Sequence, residues 1–227
     1  MITFRKLSTA ALVALSFAGV ALAGPIAFTV VVDTSAISPQ AGLLDFQFNP
    51  GPTDPVQAAN VTIMGYTGDT LGLVLPSFGD VTGTLGGPNS VFIDNGVLVI
   101  PVSPLNDYAQ NVTYGAYIAY RLIFDGPAIE APDNGSGSPS TFAFYMYSYD
   151  GDGNLVAVPF ADPTGLALTI DIDHQGMATA TGSADFLTAD VAPEPSTLLL
   201  VGVVLAAAGL WRARRREATR TGTLRCR

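Results

Sequence analysis

Asp150-Gly151-Asp152-Gly153-Asn154 sets oxygen-bearing side chains on alternate positions, a spacing that can turn three of them toward one calcium ion. The EF-hand pattern would then need Gly at its sixth position and an acid at its twelfth. Leu155 and Ala161 stand there instead, so only a less regular Ca2+ turn is left, completed by Asp162 or another loop carboxylate. A plain Asp-Gly turn is the preferred reading, and no cofactor is required. A second grouping is Asp171-Ile172-Asp173-His174, an acid beside the one histidine of the chain. Hydrolysis needs a nucleophile with a base, or two placed carboxylates. No Gly-x-Ser-x-Gly elbow accompanies His174, and the single cysteine, Cys226, lies at the far C-terminus. Sixteen aspartates between residues 24 and 192 make close carboxylate pairs inevitable in any fold, so pairing alone does not point to catalysis. The expectation is a protein that is not an enzyme.

The third grouping is aromatic. Residues 141–149, Thr-Phe-Ala-Phe-Tyr-Met-Tyr-Ser-Tyr, alternate so that Phe142, Phe144 and Met146 share one face of a strand and Tyr145, Tyr147 and Tyr149 the other. A tyrosine stripe can stack on sugar rings, though an ordinary Tyr-rich outer face is the simpler account. The sole Trp, Trp211, lies outside this region.

The elements that would position these groups are strands. Lys is absent from residues 24–192, while Asp, Gly, Thr, Val and Tyr are abundant. Short β-rich runs recur at 26–33, 43–48, 56–65, 71–75, 81–85, 91–93, 97–102, 108–124, 141–149, 155–158, 166–172, 177–182 and 186–189. The long run 108–124 should hold two strands meeting at Gly115. Asp94-Asn95-Gly96 between two of the runs predicts a hairpin with a type I′ turn. The fold class expected is all-β, a single antiparallel β-sandwich of jelly-roll type over residues 24–190. With no cysteine in that span, its stability must come from a hydrophobic core.

Charge narrows the partners. The chain carries −9, but residues 24–192 hold sixteen Asp and Glu130 against Arg121 alone, a net −16. A domain with one cation cannot neutralise phosphates, so nucleic acid is excluded as a partner. Its charged partners are cations or basic protein patches.

Both ends read as addresses. Arg5 and Lys6 precede an apolar run, residues 7–20, and Ala21-Leu22-Ala23 then offers small residues to a signal peptidase. Residues 1–23 are therefore a predicted signal peptide, cut between Ala23 and Gly24. At the other end, residues 191–197 form a linker containing Pro193-Glu194-Pro195-Ser196, and residues 198–211 an apolar helix. Its 14 residues span about 21 Å, short against a hydrocarbon core of about 30 Å. Arg212, Arg214, Arg215 and Arg216 make a stop-transfer cluster that keeps the tail, residues 212–227, in the cytoplasm and the domain outside.

This order of proline-flanked motif, short apolar helix and arginine cluster resembles the C-terminal sorting signal of the bacterial PEP-CTERM proteins. The tail departs from that pattern by running on from Glu217 to Arg227. Val31-Val32-Asp33-Thr34-Ser35, followed by residues 42–51, is similar to the opening of one PEP-CTERM subfamily without an assigned activity. The resemblance implies an exported protein, transiently anchored in the inner membrane by its helix. It also implies handling by the membrane protease exosortase and delivery to the envelope, outer surface or matrix. Association with exopolysaccharide or biofilm is likewise an implication of the resemblance. The function expected is a structural or adhesive β-sandwich; a Ca2+-dependent carbohydrate-binding module is the alternative.

Overall fold

The computed structural model describes residues 24–51, 57–86, 88–96, 105–132, 140–182 and 187–192, with Ala207 alone beyond them. Within these residues the chain is almost entirely β, folded as two antiparallel sheets packed face to face. The strands are β1 (Ile26–Asp33), β2 (Ala41–Pro50), β3 (Asn60–Thr67), β4 (Thr70–Val74), β5 (Val81–Gly83), β6 (Ser90–Asp94), β7 (Asp107–Thr113) and β8 (Tyr117–Asp125). After a single helical turn, α1 (Pro127–Glu130), come β9 (Ser140–Tyr149), β10 (Leu155–Ala157), β11 (Leu166–Ile172), β12 (Ala178–Gly182) and β13 (Leu187–Ala192).

The first sheet runs β13-β1-β8-β3-β6-β5 and the second β12-β11-β9-β2-β7-β4. Strand β10 takes the edge of β9 at residues 147–149, and β11 takes the same edge at residues 140–145. The chain crosses repeatedly between sheets, as the expected sandwich requires. Strands β1 and β13 lie side by side, so the two ends of the domain meet, with Ala27 opposite Ala192. The last strand thus runs two residues past the expected domain boundary at residue 190.

Period-two alternation decides which residues enter the core. Phe28, Val30 and Val32 face inward from β1, and Leu44, Phe46 and Phe48 from β2. From β9 come Phe142, Phe144 and Met146, all without exposed surface, as their alternation predicts. Phe46 stacks on Phe144 at 4.7 Å, and Tyr120 from the opposite sheet meets both edge-on at 5.5 and 5.4 Å. Edge-to-face pairs of this kind add about 0.5–1.5 kcal/mol each beyond their buried area.

The run 108–124 divides where expected. Gly115 sits so close to Gly68 that a Cβ would strike its carbonyl, and its N–H donates to Asp69 Oδ1 at 3.0 Å. The Asp94-Asn95-Gly96 turn differs from its prediction. Gly96 lacks the positive φ of a type I′ turn, and the run 97–102 lies outside the described residues. Asn95 is instead a buried tie. Its Oδ1 accepts the Ala59 N–H at 2.6 Å, while its amide donates to Ser140 Oγ, joining the start of β3 to the start of β9. A side chain with both partners inside the fold outweighs local turn propensity.

The inward and outward faces of β9 predict unequal costs. Phe144→Ala should destabilise residues 24–192 by about 3–5 kcal/mol, since it empties the centre of the aromatic core. Tyr147→Ala should cost clearly less, because its ring is half-exposed on the outer face. Urea denaturation of the two variants measures the difference, and equal losses would mean that the outer face is covered.

Candidate functional site

The outer face of the second sheet gathers the polar and aromatic residues that alternation turns away from the core. Register sets Tyr145 of β9 opposite Asp45 of β2, and Asp45 opposite Ala109 of β7. One row along, Tyr147 faces Leu43 and Leu43 faces Asn111; one row the other way, Gln47 faces Asp107. Tyr145 and Tyr147 stack with their planes 5° apart and centroids 6.4 Å apart. The Tyr147 hydroxyl donates to the Thr164 carbonyl at 2.8 Å, and Gly165 packs against its ring, where any Cβ would collide. Tyr149 reaches across β2 to donate to Asn111 Oδ1 at 2.9 Å, with 38% of its surface still exposed. The three rings are therefore held in place, and no second layer of described residues covers them.

Beside them is an acidic pair without enough hydrogen-bond donors. Asp45 and Asp107 are diagonal neighbours on β2 and β7, near enough to interact. Asp45 Oδ2 accepts from Gln47 Nε2 at 2.9 Å, but Asp45 Oδ1 and Asp107 Oδ1 are both buried with no donor. Among the described residues the only other buried side-chain atom so placed is the Tyr120 hydroxyl in the aromatic core. Loss of solvent first, and then the facing Asp107 carboxyl, push the Asp45 pKa up to about 7. Burial chiefly, with Asp45 and Asp162 nearby, also pushes the Tyr145 and Tyr147 hydroxyls upward.

Elsewhere the aspartates are engaged in turns. Asp150 Oδ1 accepts the backbone N–H of Asp152 at 2.9 Å and of Asn154 at 2.8 Å; Oδ2 takes the Asn154 amide at 3.2 Å. Asp162 Oδ1 accepts from Thr164 N and Leu166 N, and Asp173 Oδ1 from Gln175 N and Met177 N. In each turn the third residue on is a positive-φ glycine, Gly153, Gly165 or Gly176. Asp150, Asp162 and Asp173 thus head one loop used three times: the carboxylate caps the turn, and glycine takes the backbone conformation that other residues resist. These hydrogen bonds hold the Asp150 and Asp162 carboxyls below the usual range. The structure brings Asp150 and Asn154 together, with both Asp150 carboxylate oxygens and the Asn154 side-chain NH2 committed to the turn itself. His174 sits exposed inside the Asp173 turn, whose carboxylate faces backbone N–H groups.

A concavity lies on the first sheet. A shallow cavity of about 330 Å³, lined by Thr29, Met64, Gly65, Ala119, Tyr120 and Arg121, opens where β3 bulges away from β8. It places the domain's one cation on an otherwise apolar wall. No group of three or more His, Cys, Asp or Glu side chains with metal-binding geometry occurs among the described residues. Ala21, Ala23, Pro193, Glu194, Pro195, Ser196, Arg212, Arg214, Arg215 and Arg216 lie outside the described residues, whereas Gly24 begins them. Of the expected helix at residues 198–211 only Ala207 is described, and it is helical and exposed. No helix among the described residues is long and apolar enough to cross a membrane.

Two measurements follow from these carboxylates. A raised folded pKa means that the folded state holds the Asp45 proton more tightly, so its contribution is full below about pH 4 and is lost as pH rises toward 7. Asp45→Asn should therefore raise the melting temperature at pH 8 and leave it nearly unchanged at pH 4; an equal effect at both would refute the raised Asp45 pKa. For the Asp150 turn, Ca2+ should raise the melting temperature no more than Mg2+ at equal ionic strength, because it only screens the −16 charge. Saturable Ca2+ binding abolished by Asp152→Ala would instead establish a cation site.

Neither the curated proteins nor the solved structures contain a match to this chain. Residues 191–216 do match a known family, described as the PEP-CTERM protein-sorting motif. The match starts within β13 and runs through Pro193-Glu194-Pro195 and the apolar segment to Arg216, so the resemblance on which the two ends were read is met at the C-terminus. This chain carries the C-terminal sorting signal of a PEP-CTERM exosortase substrate, attached to an acidic β-sandwich.

Proposed function

We propose that the sandwich is a non-catalytic structural or adhesive module of the cell surface or extracellular matrix. Its contact with exopolysaccharide runs through the outer face of the second sheet. The sorting motif implies export and delivery to the envelope or surface, with processing by exosortase on the way. The observation that carries the finer reading is the held tyrosine face. Tyr145, Tyr147 and Tyr149 stand on an uncovered sheet face, bordered by the carboxyl groups of Asp45 and Asp107 and the amides of Gln47 and Asn111. Aromatic faces stack on the C–H faces of sugar rings, and carboxylates and amides bind their hydroxyls. The net charge of −16 directs the module toward neutral glycans and away from nucleic acid and anionic lipid.

Co-sedimentation of residues 24–192 with exopolysaccharide from the producing cells tests the reading. Tyr145→Ala and Tyr149→Ala should each weaken retention several-fold, while Tyr117→Ala, on the first sheet, should not. Equal retention of all variants, or none by the parent domain, would remove the polysaccharide partner. Mass spectrometry of the native surface protein should find Gly24 at its N-terminus and no Arg227; an intact C-terminus would refute sorting.

A further inference from the structure

The sorting signal and the folded domain overlap. The motif match begins at residue 191, and Val191 and Ala192 belong to β13, where they pair with Phe28 and Ala27 of β1. Pro193, next along, has no N–H to give to a ladder, so the sheet ends where the Pro-Glu-Pro sequence begins. Only residues 193–197 separate β13 from the apolar run, a reach of at most about 18 Å at 3.3–3.6 Å per residue.

We propose that β13 is a strap: seated on β1 it withholds the sorting signal, and the sorting protease cuts only after β13 has lifted away. Peptides recognised in extended form present several residues of free backbone to their partner. With β13 seated, the backbone upstream of Pro193 is already committed to β1 through six register pairs, from Val32 opposite Leu187 to Ala27 opposite Ala192. Between β13 and the apolar run the sequence leaves only five residues, two of them prolines. The strap can leave without dismantling the sheet: it stands at an edge with β1 as its one neighbour among the described residues, and β1 keeps its pairing to β8 when β13 leaves. Local opening of such an edge needs far less free energy than global unfolding. Cleavage is thereby coupled to the state of the fold, independently of whatever the tyrosine face binds.

A disulfide across the β1–β13 pair tests this directly. Residues 24–192 contain no cysteine, so Thr29→Cys with Asp190→Cys, directly opposite in register, gives one unambiguous lock in a Cys226→Ser full-length chain. A second lock, Val31→Cys with Thr188→Cys, controls for local disruption. In cells containing exosortase, mass spectrometry should find C-terminal removal in both locked chains at least tenfold slower than in the single-cysteine variants. Inserting ten Gly/Ser residues between Ala192 and Pro193 should restore it while the lock stays closed. Processing of the locked chains at the single-variant rate overturns the strap, as does failure of the insertion to restore it. Retention of Arg227 in the unlocked chain overturns the sorting reading and the strap with it.

Discussion

A carboxylate accepting the N–H groups of its own turn is the interaction on which this domain is built. Asp33, Asp94, Asp150, Asp162 and Asp173 each accept from the backbone N–H two residues on. Each turn so closed reverses or redirects the chain and sets the register of the strands beside it. In the Asp150 and Asp173 hairpins, a slip of one residue would turn the core face of a strand outward. With no disulfide between residues 24 and 192, local capping and the aromatic core share this work. Five of the sixteen aspartates in residues 24–192 are thus turn caps.

That economy carries an electrostatic cost. Side chains chosen for local hydrogen bonding accumulate negative charge without lysines to balance it, and −16 on a domain of this size repels itself. Exposed turn carboxylates tolerate this, because water and backbone N–H groups stabilise the charged form. Asp45 does not, being partly desolvated against Asp107. The two sets therefore respond to acid in opposite senses. Asp33, Asp150 and Asp162 are bound best as carboxylates and lose that contribution as pH falls, whereas Asp45 contributes most with its proton in place.

The fold was legible where structure is local. Residues 26–33 and 166–172 are strands with the bounds that their β-rich composition predicts, and the alternation in 141–149 sorts Phe144 from Tyr147 correctly. Asn95 was misread because an Asn-Gly pair is a turn signal in a short window, while its true partners, Ala59 and Ser140, lie 36 and 45 residues away. The Asp45–Asp107 pair is illegible for the same reason. Alternation places each on an outer face, but only the pairing of β2 with β7 makes them neighbours. The repeated turn has the spacing Asp-x-x-Gly at 150, 162 and 173, but the same spacing at Asp69–Gly72 and Asp80–Gly83 runs into β4 and β5, so spacing alone does not mark it.

The position of the two ends ties the fold to the sorting signal. Ile26 lies opposite Phe124, Ala27 opposite Ala192 and Asn60 opposite Asp125, so the chain enters and leaves at one end of the first sheet. Asn95 links that end to the start of β9 in the second sheet, and α1 follows directly from β8. The loop from Asp33 to Gln40 and the Asp150 turn lie at the opposite end, where Tyr114 Oη donates to the Tyr147 carbonyl at 2.7 Å. A domain tethered through Ala192 therefore turns the Asp150 hairpin away from its tether. The tyrosine face runs along the side of the sandwich, clear of both strands that carry the termini. Ala192 and the tyrosine face thus belong to different sheets.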